Sequence, residues 1–282
     1  MYATLITVAE LAPVLGHADW CVLDCRYDLA QPDAGAAQYA AGHIPGASYV
    51  DLARDLSGPR TPASGRHPLP EAAALVQRLG ALGIDEHVQV VAYDASAGLY
   101  ASRAWWLLRA LGHGAVAVLD GGLPAWLQAG GSLSTQPVLR APRRFPWAGQ
   151  ALAHRTADDV AAGLAARTIS LVDVRSAERF EGRSEPLDPV AGHIPGACNL
   201  PQSRSLAADG RFLDPVALGA LFAAQPALRR PEEVVCMCGS GVTACHTLLA
   251  MEVAGLPGGR LYPGSWSEWC RDPARPVATG PA

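Results

Sequence analysis

The sequence predicts an α/β protein made of two copies of one module, each a mainly parallel sheet flanked by helices. Two observations carry this. Short β-branched runs of strand length alternate with stretches of helical pattern, the alternation that parallel sheets need for their crossovers. The block Gly42-His43-Ile44-Pro45-Gly46-Ala47 also returns as Gly192-His193-Ile194-Pro195-Gly196-Ala197, and Leu23-Asp24-Cys25-Arg26 is answered by Val172-Asp173-Val174-Arg175. A repeat this long means duplicated domains, because solenoid units are much shorter.

Each copy opens with a helix start, Thr7 with Glu10 and Thr156 with Asp159, spaced as capping boxes. Strand-like runs follow at 21–24 and 88–93 in the first copy and at 169–173 and 234–237 in the second. Helical patterns cover 105–111 and 215–224. Between the copies the chain is broken by Pro137, Pro142 and Pro146. These features divide it into a first domain over 1–135, a linker over 136–150 and a second domain over 151–282. The linker arginines Arg140, Arg143 and Arg144 read as a solvated connection.

A chain of 282 residues, half of them hydrophobic, can build two cores without disulfides. A formal charge of -4 offers no basic field for nucleic acid, and no apolar run is long enough for a membrane span. The expected partners are therefore small molecules or other proteins. The first residues lack a basic segment before a long apolar core, so no secretory signal is expected. Seven cysteines, an odd number, point to free thiols in a reducing compartment, and a cytoplasmic location is expected. All 22 basic residues are arginine, which excludes a Schiff-base lysine and a P-loop lysine on this chain.

The chemistry concentrates in Val234-Val235-Cys236-Met237-Cys238-Gly239-Ser240-Gly241-Val242-Thr243, followed by an apolar helical run. Cys238 falls where the strand stops and the loop before a helix begins. Loop N–H groups and the positive helix end there favour an anion, hence the nucleophilic thiolate. A dinucleotide reading of Gly239 to Ala244 fails for want of an acidic residue about twenty positions on, where Gly258-Gly259-Arg260 stands. A phosphatase-type loop would need arginine at Ala244. Aligning 90–93 on 234–237 sets Asp94 opposite Cys238, so the first copy lacks the nucleophile and Asp94 is expected to cap the adjacent helix. Cys236 reads as core, as do Trp266 and Trp269, and the histidines His43 and His193 read as turn-holding residues because both copies carry them.

Cys-Gly-Ser-Gly-Val-Thr at 238–243, with the two Gly-His-Ile-Pro blocks, Asp120-Gly121-Gly122 and Gly264-Ser265-Trp266-Ser267-Glu268-Trp269, resembles the tandem-domain rhodanese sulfurtransferases, and the loop is similar to their 3-mercaptopyruvate branch. The resemblance implies a sulfurtransferase that moves sulfur from 3-mercaptopyruvate through a Cys238 persulfide to a thiol or cyanide acceptor, with no metal and no cofactor. It implies a proton relay between Ser240 and His67, supported by Asp51 or Asp55, and an active-site loop that includes Gly239, Gly241, Val242 and Thr243. It implies donor binding by Arg179. The family's second arginine, which follows a Glu-Pro pair, is absent because Glu185-Pro186 runs into Leu187, and Arg183 is expected to reach the same space. A thioredoxin-like reductant as acceptor and a monomeric state complete the expectation. Three alternatives stay open: thiosulfate as donor, a persulfide carrier without efficient turnover, and a zinc site made of Cys236, Cys238 and His246.

Overall fold

The computed structural model describes residues 1–281. The chain packs as two units, the first made of residues 1–58, 69–153 and 208–212, the second of 59–68, 154–207 and 213–282. The unit boundaries therefore do not follow chain order alone. The proline-rich stretch 136–150 lies in the first unit, where the Arg143 N–H donates to Gly80 and Phe145 is buried. The segment 59–68, which carries His67, lies in the second.

In the first unit, strands β1 (Leu5–Ile6), β2 (Trp20–Asp24), β3 (Ala47–Tyr49), β4 (Gln89–Tyr93) and β5 (Val116–Leu119) form a parallel sheet in the order β1-β5-β4-β2-β3. In the second unit, β6 (Ser170–Asp173), β7 (Cys198–Asn199), β8 (Val234–Met237) and β9 (Arg260–Leu261) form another, in the order β7-β6-β8-β9. Without β1 the two orders match strand for strand, so the duplication read in the sequence is a duplication of topology. Strands β4 and β8 are inner strands buried along their whole length, which is why both read as unbroken apolar runs.

The repeated blocks do the same local work in each unit. Arg26 grips Asp24 and donates to the Gly42 carbonyl at 2.8 Å, and Arg175 grips Asp173 and donates to the Gly192 carbonyl at 2.7 Å. Each pair ties the end of a strand to the Gly-His-Ile-Pro turn. His43 stacks on Tyr39 and bonds its carbonyl, and His193 stacks on Phe180 and bonds its carbonyl. Both histidines thus hold turns. The two expected capping boxes are present, Thr7 with Glu10 and Thr156 with Asp159. One helix begins earlier than its apolar pattern suggests, at Ala101 rather than 105, because the Asp94 carboxylate accepts the N–H groups of Tyr100 and Ala101 and starts the turn there.

The core of the first unit gathers Ile6, Leu11, Val91, Tyr93, Leu119 and Trp126. That of the second gathers Leu171, Phe180, Val235, Met237, Trp266 and Trp269, so these tryptophans are core as expected. Among the described residues no helix is long and apolar enough to cross a membrane.

Candidate active site

Strand β8 ends at Met237, and Cys238 begins the loop that enters the helix Thr243–Val253. The loop is pinned from the segment after β9. The Cys238 N–H donates to Ser265 Oγ at 3.1 Å, the Cys238 carbonyl accepts from Trp266 N–H at 3.0 Å, and the Gly239 carbonyl accepts from Ser267 N–H at 2.9 Å. The Gly-Ser-Trp-Ser motif is therefore the mould of the cysteine loop. Gly241 turns the chain at φ +73, and a side chain there would run into the Pro263 carbonyl, so glycine is required on both counts. Among the described residues no protein acceptor faces the N–H groups of Gly239, Ser240 or Val242. Donors left open at the head of a helix form a ready seat for negative charge.

Ser240 follows in the same loop, buried, and its Oγ lies 2.8 Å from His67 Nδ1. The segment 59–68 that brings His67 is itself fastened to the mould, since the Arg66 N–H donates to Ser267 Oγ at 2.9 Å. The hydroxyl and the imidazole can pass a proton between them. Asp51 and Asp55 serve the first unit: Asp51 accepts from the N–H groups of Ala53 and Arg54 and from Tyr49 Oη, and Asp55 accepts from the Asp51 N–H and pairs with Arg78.

Arg179 lies close to the cysteine loop, and a methyl group built on Gly239 would lie 3.3 Å from its Nη1. Its other edge is engaged, with Nε and Nη2 donating to Glu185 at 3.1 and 2.6 Å. Arg183 is not brought to the site. Its side chain is more than half exposed and pairs with Glu181 at 2.6 Å. A different arginine arrives instead: Arg66, whose Nη2 would lie 2.8 Å from the same methyl on Gly239 and whose Nη1 pairs with Asp188. Its place beside His67 in the sequence was the one available signal, and nothing in residue type separated it from a surface arginine.

The remaining thiols have other surroundings. Cys236 is fully buried, and burial with the neighbouring Cys198, Cys245 and Cys238 pushes its thiol well up. Cys198 is pushed up to about 11, chiefly by burial. Both stay protonated at neutral pH and are poor nucleophiles. Cys245 points its thiol at the Gly241 carbonyl. His246 is buried with Nε2 3.2 Å from Gln202 Nε2, and among the described residues no three His, Cys, Asp or Glu side chains gather as a metal site.

A family model for the rhodanese-like domain matches residues 7–129 and again 156–272. The chain is 48% identical over 280 residues to a protein of Pseudomonas aeruginosa named "Probable 3-mercaptopyruvate sulfurtransferase", covering 99% of both chains. It is 39% identical over 237 residues to the 3-mercaptopyruvate sulfurtransferase of Homo sapiens, covering 82% of this chain and 78% of that one. Among solved structures, the crystal structure of SseA from Escherichia coli, titled for the rhodanese fold and catalytic mechanism of 3-mercaptopyruvate sulfotransferases, superposes with a TM-score of 0.81 at 31% identity over 95% of this chain and 100% of that one.

Proposed function

Because the chain belongs to the rhodanese-like family, with that domain in two tandem copies, we propose that it is a sulfurtransferase whose sulfur donor is 3-mercaptopyruvate. The observation that carries the donor is the 2.8 Å contact between Ser240 Oγ and His67 Nδ1, two positions along the loop from Cys238. Sulfur leaving a mercaptopyruvate carbon leaves its electron pair there as an enolate, and that carbon needs a proton. Thiosulfate releases sulfite and needs none.

In this reading the Cys238 thiolate attacks the donor sulfur, an S–S bond forms and the donor's C–S bond breaks. The electron pair goes to carbon, and the Ser240–His67 pair delivers the proton that completes pyruvate. The persulfide left on Cys238 is anionic at its outer sulfur, and the open N–H groups of Gly239, Ser240 and Val242 stabilise it. A thiolate or cyanide then attacks that outer sulfur and carries it off, restoring the Cys238 thiolate. Within the same proposal a thioredoxin-like reductant is one such acceptor, and the chain acts as a monomer in the cytoplasm, where its seven free cysteines stay reduced.

One observation favours thiosulfate as a second reading: Arg66 and Arg179 both approach Gly239, and a dianion gains from two cations. Against it, Glu185 and Asp188 offset part of those two charges, and what remains suits a single carboxylate better than a dianion. The test is kcat/KM for each donor at one acceptor concentration. A clear advantage for 3-mercaptopyruvate is expected; an advantage for thiosulfate overturns the donor and leaves the broader sulfurtransferase.

A further inference from the structure

The family's second donor-binding arginine has no counterpart after Glu185-Pro186, where the half-exposed Leu187 stands. The space it would serve is nevertheless not short of charge. We propose that Arg66 is the missing arm: Arg66 Nη2 and Arg179 Nη1 form a two-point clamp over Gly239 that receives the donor's carboxylate.

Four observations carry this. The two nitrogens stand against the same face of Gly239, 2.8 and 3.3 Å from where a methyl group on it would lie. That spot adjoins Cys238, as a clamp for a three-carbon donor must. Asp188, its side chain buried to 2% exposure, holds both forks from behind, taking Arg66 Nη1 on one carboxylate oxygen and Arg179 Nη2 at 3.4 Å on the other. Among the described residues, Arg66 Nη2 and Arg179 Nη1 have no protein acceptor. Each guanidinium thus spends one edge on orientation and keeps another for a ligand, the division a fork donor permits and a lysine ammonium does not.

The base of Arg66 is fixed as firmly as its tip. Its N–H donates to Ser267 Oγ and its carbonyl accepts from Arg60 Nε at 2.6 Å. The neighbouring His67 is the residue that meets Ser240. A single short segment thereby delivers both the anion clamp and the proton relay to the cysteine loop. Gly239 acquires a reason of its own. Its backbone conformation accepts any residue, so it is kept small by the clamp rather than by its dihedral angles.

The inference rests on 3-mercaptopyruvate being the donor, and the experiment separates the two. Steady-state KM and kcat for 3-mercaptopyruvate are measured for the parent and for Arg66→Ala, Arg66→Lys, Gly239→Ala and Arg183→Ala, with the fold of each checked by circular dichroism. Pyruvate, which keeps the carboxylate and lacks the sulfur, is titrated as an inhibitor of each. Loss of a charged hydrogen-bond partner is expected to raise KM and the pyruvate inhibition constant about 10- to 100-fold in Arg66→Ala, with kcat changed far less. Arg66→Lys recovers part of the loss, because it keeps the charge without the fork. Gly239→Ala raises KM in a protein whose Arg66 is intact, which guards against a folding defect in the arginine variants. Arg183→Ala stays within about twofold of the parent. Unchanged KM and pyruvate inhibition in Arg66→Ala and Gly239→Ala overturn the clamp and leave the donor standing. A parent that turns over thiosulfate and not 3-mercaptopyruvate overturns the donor, and the carboxylate clamp with it.

Discussion

Asp94 and Cys238 occupy the same place in two copies of one module, directly beyond the matching strands β4 and β8, and the loops that follow them are used in opposite ways. In the first unit the Asp94 carboxylate turns back into its own loop. One oxygen accepts from the N–H groups of Ser96 and Gly98 at 2.7 and 2.9 Å, the other from Tyr100 and Ala101 at 2.8 and 2.9 Å. In the second unit Cys238 spends its N–H and carbonyl on the Gly-Ser-Trp-Ser mould, and the N–H groups of Gly239, Ser240 and Val242 face no protein acceptor. One backbone device, a ring of donors at the head of a helix, is closed by a built-in anion in one copy. In the other, among the described residues, it is left without a protein acceptor. The side chain at the strand end, carboxylate in one copy and thiol in the other, goes with loops of different length and sequence.

The largest effect should come from exchanging those side chains. Cys238→Ser is expected to lower sulfur transfer below about a thousandth of the parent rate, since an alcohol cannot serve as the leaving and accepting sulfur. Asp94→Cys in that background should restore nothing, because the relay and the cationic segment belong to the second unit. Cys236→Ser should keep most turnover, as its buried thiol stays protonated. Thiocyanate formation with cyanide as acceptor reads all three, and a Cys236→Ser protein that is folded yet as inactive as Cys238→Ser breaks the single-nucleophile mechanism.

A smaller effect, on stability, should follow from emptying the closed loop. Asp94→Ala leaves four N–H groups without their acceptor in a buried place and should cost about 3 kcal/mol, a fall in melting temperature of about 6–12 °C. Burial pushes the Asp94 carboxyl up against the pull of those donors, so the neutral amide of Asp94→Asn should cost less than alanine. Thermal unfolding compares the two, and equal losses would show that closing the loop needs both carboxylate oxygens.

The smallest effect belongs to the caps that the copies share. Thr156→Ala should lower the melting temperature by about 2–4 °C. The Thr156 N–H and hydroxyl hold the Asp159 carboxyl below its usual range, and Thr7 does the same for Glu10. A carboxyl lowered in the folded state stabilises above its unfolded value, about 4, and loses that contribution as pH falls through its folded value. The deficit of Thr156→Ala should therefore shrink as a series of melts is taken from neutral pH to below about pH 4. A deficit that holds constant would mean that Thr156 acts without its carboxylate partner.

The capping boxes and the position of Cys238 at a strand end were legible in residue order because each depends on neighbours within a few residues, and the duplication and the turn-holding histidines were legible because the same block is written twice. Four of the inner strands, β2, β4, β6 and β8, were visible as buried apolar runs, and the inner strand β5 was not read. The short strands β3, β7 and β9 were not, since two or three residues carry no period and pair only because β2, β6 and β8 present an edge to them. The resemblance brought in His67 and Arg179, and both stand beside the cysteine loop. Arg183 and Arg66 divide differently. As residue types they are alike, and which of them reaches Gly239 is decided by the carboxylates around them, Glu181 drawing Arg183 outward and Asp188 drawing Arg66 in.

Residue order alone showed a twice-built α/β chain with one cysteine between a strand end and a helix head, because strand, loop and helix head are local consequences of local side chains. Tertiary structure alone decided what surrounds that cysteine. Ser240 and His67 stand 173 positions apart, and their meeting depends on residues 59–68 packing in the second unit rather than in the one that precedes and follows them in sequence. A hydrogen bond across such a separation leaves no periodicity to read, for it is set by the packing of whole segments and not by the preference of any residue for its neighbours.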